Sequence, residues 1–302
     1  MKKYYGLMLI ALLLFLCPAW EVSASAGQLN YVALGDSLAA GMTPQGGLNR
    51  SYADMLASQM KKEYPLMSFD KGFSIPGYTT KDVLKDIRQN VNRNIKGFGY
   101  KTNTISIQDA IQHADLITIT AGANDMFEHV KVNKKTRGLD YDEREVALSL
   151  QETKQNLQKI ESLIKSLNPD AKIFVMGYYN PFPYLAKEQQ PRINQVLKLL
   201  NKEIAASTEQ SNVVFVRTGA AIAKDYETYI PNPRNIHLSL AGYSKVADLF
   251  WEKMRPYALM PNGRAGIIQR QSDKVGRSSK LSSQLTNLQI ASLLGHSLTQ
   301  EY

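Results

Sequence analysis

Runs of apolar residues that end in small and polar ones recur along this chain, and apolar positions recur at helical spacing between them. "LNYVAL" (29–34) has almost no polar–apolar alternation, as expected of a strand covered on both faces. "MSFDKGFS" (67–74), "ADLITITAGAND" (114–125), "AKIFVMGYY" (171–179) and "NVVFVRT" (212–218) read as further strands. "SYADMLASQM" (51–60) and "TTKDVLKDI" (79–87) read as helices, the second with threonines able to cap its start. From 143 to 167, Val146, Leu150, Leu157, Ile160, Ile164 and Leu167 fall on one stripe of a long helix. Ile193, Val196, Leu197, Leu200 and Ile204 mark another helical face, and "SLAGYSKVADLFWEKM" (239–254) a closing helix.

Strand–helix alternation over this length predicts an α/β fold, a parallel sheet with helices on both sides. Ligands of such sheets bind beyond the carboxyl ends of the strands. Two polar motifs, around Ser37 and Asn124, follow strands at that end.

The chain's two ends differ from this pattern. Lys2 and Lys3, an apolar stretch from about Gly6 to Ala19, and then "SASAG" form the three-part layout of a secretory signal peptide, cleaved after Ala26. The apolar stretch is short for a bilayer span. Leu16 and Pro18 beside the only cysteine, Cys17, do not suit a lipoprotein signal. The expectation is a leader at 1–26, a domain at 27–260 and a loosely attached basic extension at 261–302, rich in serine and glutamine, with 288–298 as a short helix. Without the leader the chain has no cysteine, which excludes disulfides, thiol nucleophiles and thiolate metal sites. Removing Lys2, Lys3 and Glu21 lowers the formal charge from +9 to +8. That excess favours loose association with an anionic membrane or cell wall. No nucleic-acid-binding motif accompanies it.

Candidate chemistry gathers at the strand ends. Ser37, in "ALGDSLAAG", is a nucleophile candidate if a base and oxyanion donors lie nearby; equally, Asp36 or Ser37 could cap the next helix. Asn124, in "AGAND", offers a neutral carboxamide donor for an oxyanion, or a loop cap. Asp125 suits anchoring that loop better than binding metal. Gly77, in "SIPGYTT", could add a backbone N–H where substrate approaches closely, or be an ordinary turn glycine. Of the four histidines, His113 sits in a helix, His129 in a charged loop and His296 in the extension. His237, in "NPRNIHLSLAGY", follows the last strand and can reach the same edge as a base, or serve structurally.

"ALGDSLAAG", "IPGYTT", "TITAGAND" and "IHLSLAGY", in this order, resemble the successive blocks of the GDSL, or SGNH, family of esterases and lipases, and "VMGYYNPFPYL" (175–185) adds to the likeness. The resemblance covers roughly 29–255 and is nearest to the secreted lipase/acylhydrolases of Bacillus-type bacteria. It implies a flavodoxin-like three-layer α/β/α hydrolase with a five-stranded parallel sheet. It also implies Ser37 as nucleophile, Ser37 N–H, Gly77 and Asn124 as oxyanion hole, His237 as base, no cofactor or metal, and a secreted or cell-surface location.

One position departs from the family pattern. Where D-x-x-H is usual, Arg234 stands three residues before His237, and a guanidinium has no acceptor for an imidazole N–H. The ring is then held by a backbone carbonyl, by Asn235, by a carboxylate such as Asp225, or the protein is a weakened or inactive relative. "YYNPFPYL" and Phe127 offer walls for an acyl chain, or ordinary loop packing. The expected activity is hydrolysis of lipid or fatty-acyl esters, phospholipid included. Deacetylation of wall polysaccharide and non-catalytic binding at a wall or membrane are the alternatives.

Overall fold

The computed structural model describes residues 28–132, 138–209 and 213–258. The expected leader and extension, with His296, lie outside the described residues. The main sheet contains β1 (Leu29–Gly35), β2 (Leu66–Asp70), β3 (Gly97–Phe98), β4 (Leu116–Thr120), β5 (Lys172–Met176) and β6 (Val214–Val216). Their spatial order is β6-β5-β4-β1-β2-β3. All neighbours are parallel except β3, which runs antiparallel to β2. The five parallel strands, counted along the chain, therefore lie in the order 2-1-3-4-5, the flavodoxin-like arrangement. The chain reverses its direction of travel across the sheet between β1 and β4, whose register pairs Gly35 with Thr120.

Helices α1 (Ser37–Ala40), α2 (Tyr52–Glu63), α3 (Thr80–Gln89), α4 (Ile107–His113), α5 (Ala123–Phe127), α6 (Glu143–Leu167), α7 (Gln190–Thr208), α8 (Gly219–Ala223), α9 (Tyr226–Tyr229) and α10 (Leu240–Ala258) surround the sheet. On one side α2 packs on α10, and Tyr52 stacks on Phe250 with ring centroids 4.8 Å apart. A second layer joins α6 to α3, α4 and α7. The α6 stripe is buried at Val146, Leu150, Leu157, Ile160 and Ile164, with Leu167 half-buried at the end. In β1, Tyr31 through Leu34 are all buried; with helices on both faces, neither set of alternate side chains reaches water. Ser51 starts α2 and Thr79 starts α3 with capping boxes closed by Asp54 and Asp82. No helix among the described residues is long and apolar enough to cross a membrane.

Strand β3 is an addition to the expected five. It holds on through close backbone approach rather than side-chain pattern: a Cβ on Gly97 would lie 1.8 Å from the Phe69 carbonyl oxygen. The segment between β2 and α4 also forms a small separate ladder, Asn92–Asn94 against Thr104–Ser106.

Gly35 ends β1 at φ +133, and a Cβ there would lie 2.0 Å from the Thr120 carbonyl oxygen. Gly35→Ala should cost more than about 3 kcal/mol of folding free energy, combining backbone strain with a clash in the core. Gly46 shares a left-handed φ of +95 but has open space around it, so Gly46→Ala should cost only about 1 kcal/mol. Urea denaturation followed by circular dichroism compares the two directly.

Candidate active site

Beyond Gly35 the chain turns at once into α1. The buried Asp36 is its N-cap, its Oδ1 accepting the Leu38 N–H at 2.9 Å. Cap and candidate nucleophile are thus neighbouring residues, and the capping role leaves the Ser37 hydroxyl free for another partner. The Ser37 N–H, in the first turn, has no intrahelical acceptor. The other oxygen of Asp36 accepts from the Tyr178 hydroxyl at 2.6 Å. Burial pushes the Asp36 carboxyl up to about 6, against the opposing effect of these hydrogen bonds.

His237 reaches the same edge from the loop before α10. Its Nε2 lies 2.9 Å from Ser37 Oγ, across 200 residues of chain. On the far side of the ring, Nδ1 lies 2.6 Å from Asn235 Oδ1. The backbone N–H of His237 also donates to that atom, at 3.0 Å, which identifies it as the carboxamide oxygen, since an amide NH2 cannot accept. Nδ1 therefore carries the proton, and Nε2 presents its lone pair to the serine hydroxyl. Burial lowers the His237 pKa below the ordinary imidazole value.

The loop that carries this arrangement is tied on several sides. Asn235 N donates to the Asn232 carbonyl at 3.0 Å, and Asn232 Nδ2 to the Pro44 carbonyl at 2.7 Å. The Tyr179 hydroxyl donates to the Ile236 carbonyl at 3.0 Å. Of the holders open from sequence, Asn235 is the one the structure places at the ring. Asp225 is not there: it is exposed and caps α9, accepting from Thr228 N at 3.4 Å. Helix α9 starts at that point in the chain and uses the carboxylate for its own first turn. Arg234 is exposed too, its N–H bonded to Asn232 Oδ1 at 3.0 Å.

Asn124 is the second residue of α5, and its Nδ2 donates to the Tyr78 carbonyl at 2.8 Å. A carboxamide has two N–H bonds, so one remains for another acceptor. Gly77 is exposed at φ +85, between Pro76 and Tyr78, and Tyr78 N donates to the Ile75 carbonyl at 3.1 Å. Proline then glycine at the two central positions, the glycine at positive φ, makes a type II turn. Next to Asn124, the Asp125 carboxylate accepts Thr80 N at 2.9 Å and Thr80 Oγ1 at 2.5 Å; it anchors the loop, as its position in the sequence suggests. His113 bonds the Asp109 carbonyl at 2.8 Å at the end of α4.

Ser37, Asn124 and His237 line one cleft. Its other walls include Leu38, Phe127, Pro181, Leu197 and Ile236, so apart from the reactive groups it is mostly apolar. From the aromatic run after β5, Tyr178 and Tyr179 contribute to the cleft, Phe182 packs edge-on against Phe127 at 5.7 Å, and Tyr184 packs on Tyr226 instead. Leu197 and Ile236 had no signal in the sequence as cleft residues. Leu197 reads as a helix core position, which it also is, and Ile236 only as a neighbour of the histidine.

Residues 33–245 match the model of the GDSL-like lipase/acylhydrolase family. The spore germination lipase LipC of Bacillus licheniformis is 24% identical over 229 residues, 73% of this chain and 93% of LipC. Among solved structures, the lipase Lip_vut3 from a goat rumen metagenome aligns with a TM-score of 0.59 at 19% identity, covering 74% of this chain and 97% of that one. A catalytic mutant of Axe2, an acetylxylan esterase from Geobacillus stearothermophilus, aligns with a TM-score of 0.52 at 20% identity, covering 76% and 95%. At such identities the structural likeness speaks to the fold alone.

A neutral acceptor at Nδ1 makes a specific prediction about titration. In the folded protein the His237 ring should titrate below 6.5, because burial disfavours the imidazolium and Asn235 supplies no charge to offset it. Asn235→Asp puts a carboxylate against the ring, favours the charged form and should move the midpoint upward. NMR titration of the His237 ring, assigned by comparison with His237→Gln, reads both values.

Proposed function

Because the chain belongs to the GDSL-like lipase/acylhydrolase family, we propose that it is a serine ester hydrolase acting on lipid or fatty-acyl esters through an acyl-enzyme. The observation that carries this reading is the Ser37–His237–Asn235 chain of hydrogen bonds, at 2.9 Å and 2.6 Å, inside a mainly apolar cleft. His237 Nε2 takes the hydroxyl proton as Ser37 Oγ attacks the ester carbonyl carbon. Asn235 keeps the Nδ1 proton in place, so the ring accepts at Nε2 and at no other atom.

Negative charge then develops on the former carbonyl oxygen. The donors assigned to it are Ser37 N–H, Gly77 N–H and the second Nδ2–H of Asn124, all neutral and held in advance. The tetrahedral intermediate collapses by expelling the alcohol oxygen, which receives the proton from His237. Water, deprotonated by the same nitrogen, attacks the acyl-enzyme, and the expelled Ser37 oxygen regains its proton. The chemistry asks nothing of a cofactor. Leu38, Phe127, Pro181, Leu197 and Ile236 favour a hydrocarbon acyl group over a hydrated sugar, since their burial against an alkyl chain gains roughly 25 cal/mol per Å².

Deacetylation of a polysaccharide would use the same nucleophile and base but place only a methyl group in the apolar cleft. Initial rates on p-nitrophenyl acetate and octanoate distinguish the two: the lipid reading expects higher kcat/KM for octanoate, and a strong acetyl preference sinks it. Ser37→Ala should abolish turnover of both esters and labelling by a fluorophosphonate while the fold is retained. Undiminished turnover in that variant removes Ser37 as nucleophile, and a folded wild type that neither labels nor hydrolyses is a binding protein. Because the neutral ring is the base and burial lowers its pKa, the acid limb of kcat/KM should fall below pH 6.5.

A further inference from the structure

The two loops assigned to the oxyanion hole hold each other. Asn124 Nδ2 donates to the Tyr78 carbonyl at 2.8 Å, and two residues on, Thr80 N and Oγ1 donate to Asp125. Asn156 Nδ2 reaches Thr80 Oγ1 at 3.2 Å, and Ser149 Oγ the Asp125 carbonyl at 2.8 Å, both from α6. This half of the stitch is buried and well supported. The Tyr78 end is different: it follows the exposed Gly77, whose Cα has open space where a side chain would be. A glycine turn facing solvent supplies little resistance to peptide rotation. Besides the bonds from Tyr78 N to the Ile75 carbonyl at 3.1 Å and from Thr79 N to Asp82 Oδ2 at 2.9 Å, a contact on the Tyr78 side chain can hold its carbonyl more firmly to Asn124.

The Tyr78 side chain is fixed by such a contact. Its hydroxyl donates to Asp86 Oδ2 on α3 at 3.1 Å. Arg93 Nη2 donates to the same hydroxyl and, at 2.8 Å, to the same carboxylate oxygen. The guanidinium carbon lies 5.7 Å from the centre of the Tyr78 ring. Arg93 comes from the Asn92–Asn94 ladder, outside the main sheet. The Arg93–Asp86 pair is partly shielded, with side-chain exposures of 29% and 10%, so it is better insulated than a surface ion pair.

We propose that Arg93 is a positioning residue for the oxyanion hole: it clamps Tyr78 against Asp86, and the Tyr78 carbonyl then fixes the Asn124 carboxamide. What the clamp does for turnover rests on the hydrolase reading above; the clamp itself is geometry and can be tested apart from catalysis. Its reach runs from a ladder at the edge of the domain to one N–H bond in the cleft. The segment that carries β3 and this ladder thereby acquires a role in the site without touching substrate.

Three variants test the clamp: Arg93→Met, Arg93→Lys and Tyr78→Phe. Arg93→Met should lower kcat and kcat/KM together by about 10- to 10²-fold, with KM near wild type, because a displaced donor costs transition-state binding alone. Tyr78→Phe should fall in the same way, and the double variant should be no worse than the poorer single, since both break one unit. Arg93→Lys should recover most of the rate, as one ammonium can donate to both oxygens that Nη2 now serves. A merely structural role would lower thermal stability and leave the specific activity of folded protein, and its kcat-to-KM split, unchanged.

Amide hydrogen exchange in a Ser37→Ala background reads the geometry without turnover. Peptides spanning 77–80 and 123–125 should exchange faster with Arg93→Met added, while β4 stays as protected as before. Unchanged exchange at both places, or an Arg93→Met kcat within twofold of wild type, overturns the clamp. A folded wild type that neither hydrolyses esters nor takes a fluorophosphonate label overturns the hydrolase reading instead, and the exchange result still decides the clamp.

Discussion

Strands β1 and β4 lie side by side in parallel, and at their ends Gly35 meets Thr120 with no side chain between them. Asp36 N donates to the Thr120 carbonyl at 2.8 Å immediately afterwards, so the pairing continues through the point where the strand gives way to α1. The reversal of strand order falls between these same two strands, and in open α/β sheets that is where the diverging loops leave a crevice. Ser37 and Asn124 are brought to one cleft because each follows one member of this pair by a few residues. A Cβ at position 35 would push the two carboxyl ends apart, and with them the hydroxyl and the carboxamide. The contact is purely steric, yet every later feature of the site presupposes it.

The histidine is held by a different kind of constraint. In a serine–histidine–aspartate site the carboxylate does two things: it fixes the tautomer and it stabilises the imidazolium that forms in the transition state. Asn235 Oδ1 performs the first through a 2.6 Å contact and carries no formal charge for the second. Burial then acts alone on His237 and lowers its basicity, which keeps the ring neutral over a wider range of acidic pH but makes it a weaker base. The interior beside Ser37 already holds Asp36, pushed up to about 6 chiefly by burial, and the buried Asp125 raises the cost of its charge further. A carboxamide at 235 orients the ring without adding a third carboxylate to this region, where like charges oppose one another's ionisation.

The parallel strands were legible because burial on both faces writes them as unbroken apolar runs, as in Tyr31 to Leu34. The long α6 was legible from its stripe, and the polar blocks at strand ends from topology. Strand β3 was not, because two residues including a glycine leave no periodicity, and what secures them is backbone proximity to Phe69. Asn235 stood among several possible holders for the imidazole. Choosing it over Asp225 needs the loop geometry set by Asn232 and the cap that Asp225 makes for α9, neither of which has a local sequence signature. Arg93 and Tyr78 were silent for a similar reason: their contact joins a turn to a ladder through side chains whose spacing matches no motif.

These observations divide the site by how its parts are held. Ser37 sits on a buried strand–helix junction whose position is dictated by packing, so few side chains are needed to define it. His237 depends on short polar contacts within one loop, reinforced by Tyr179 and by the bond from Asn232 to Pro44. The carboxamide depends on a turn at an exposed glycine. In the proposed oxyanion hole, openness at Gly77 lets a substrate oxygen approach its N–H, and the same openness leaves that glycine without packing. Hydrogen bonds from outside the cleft can then supply rigidity that the core supplies elsewhere, and the contacts of Tyr78 with Asp86 and Arg93 are of that kind.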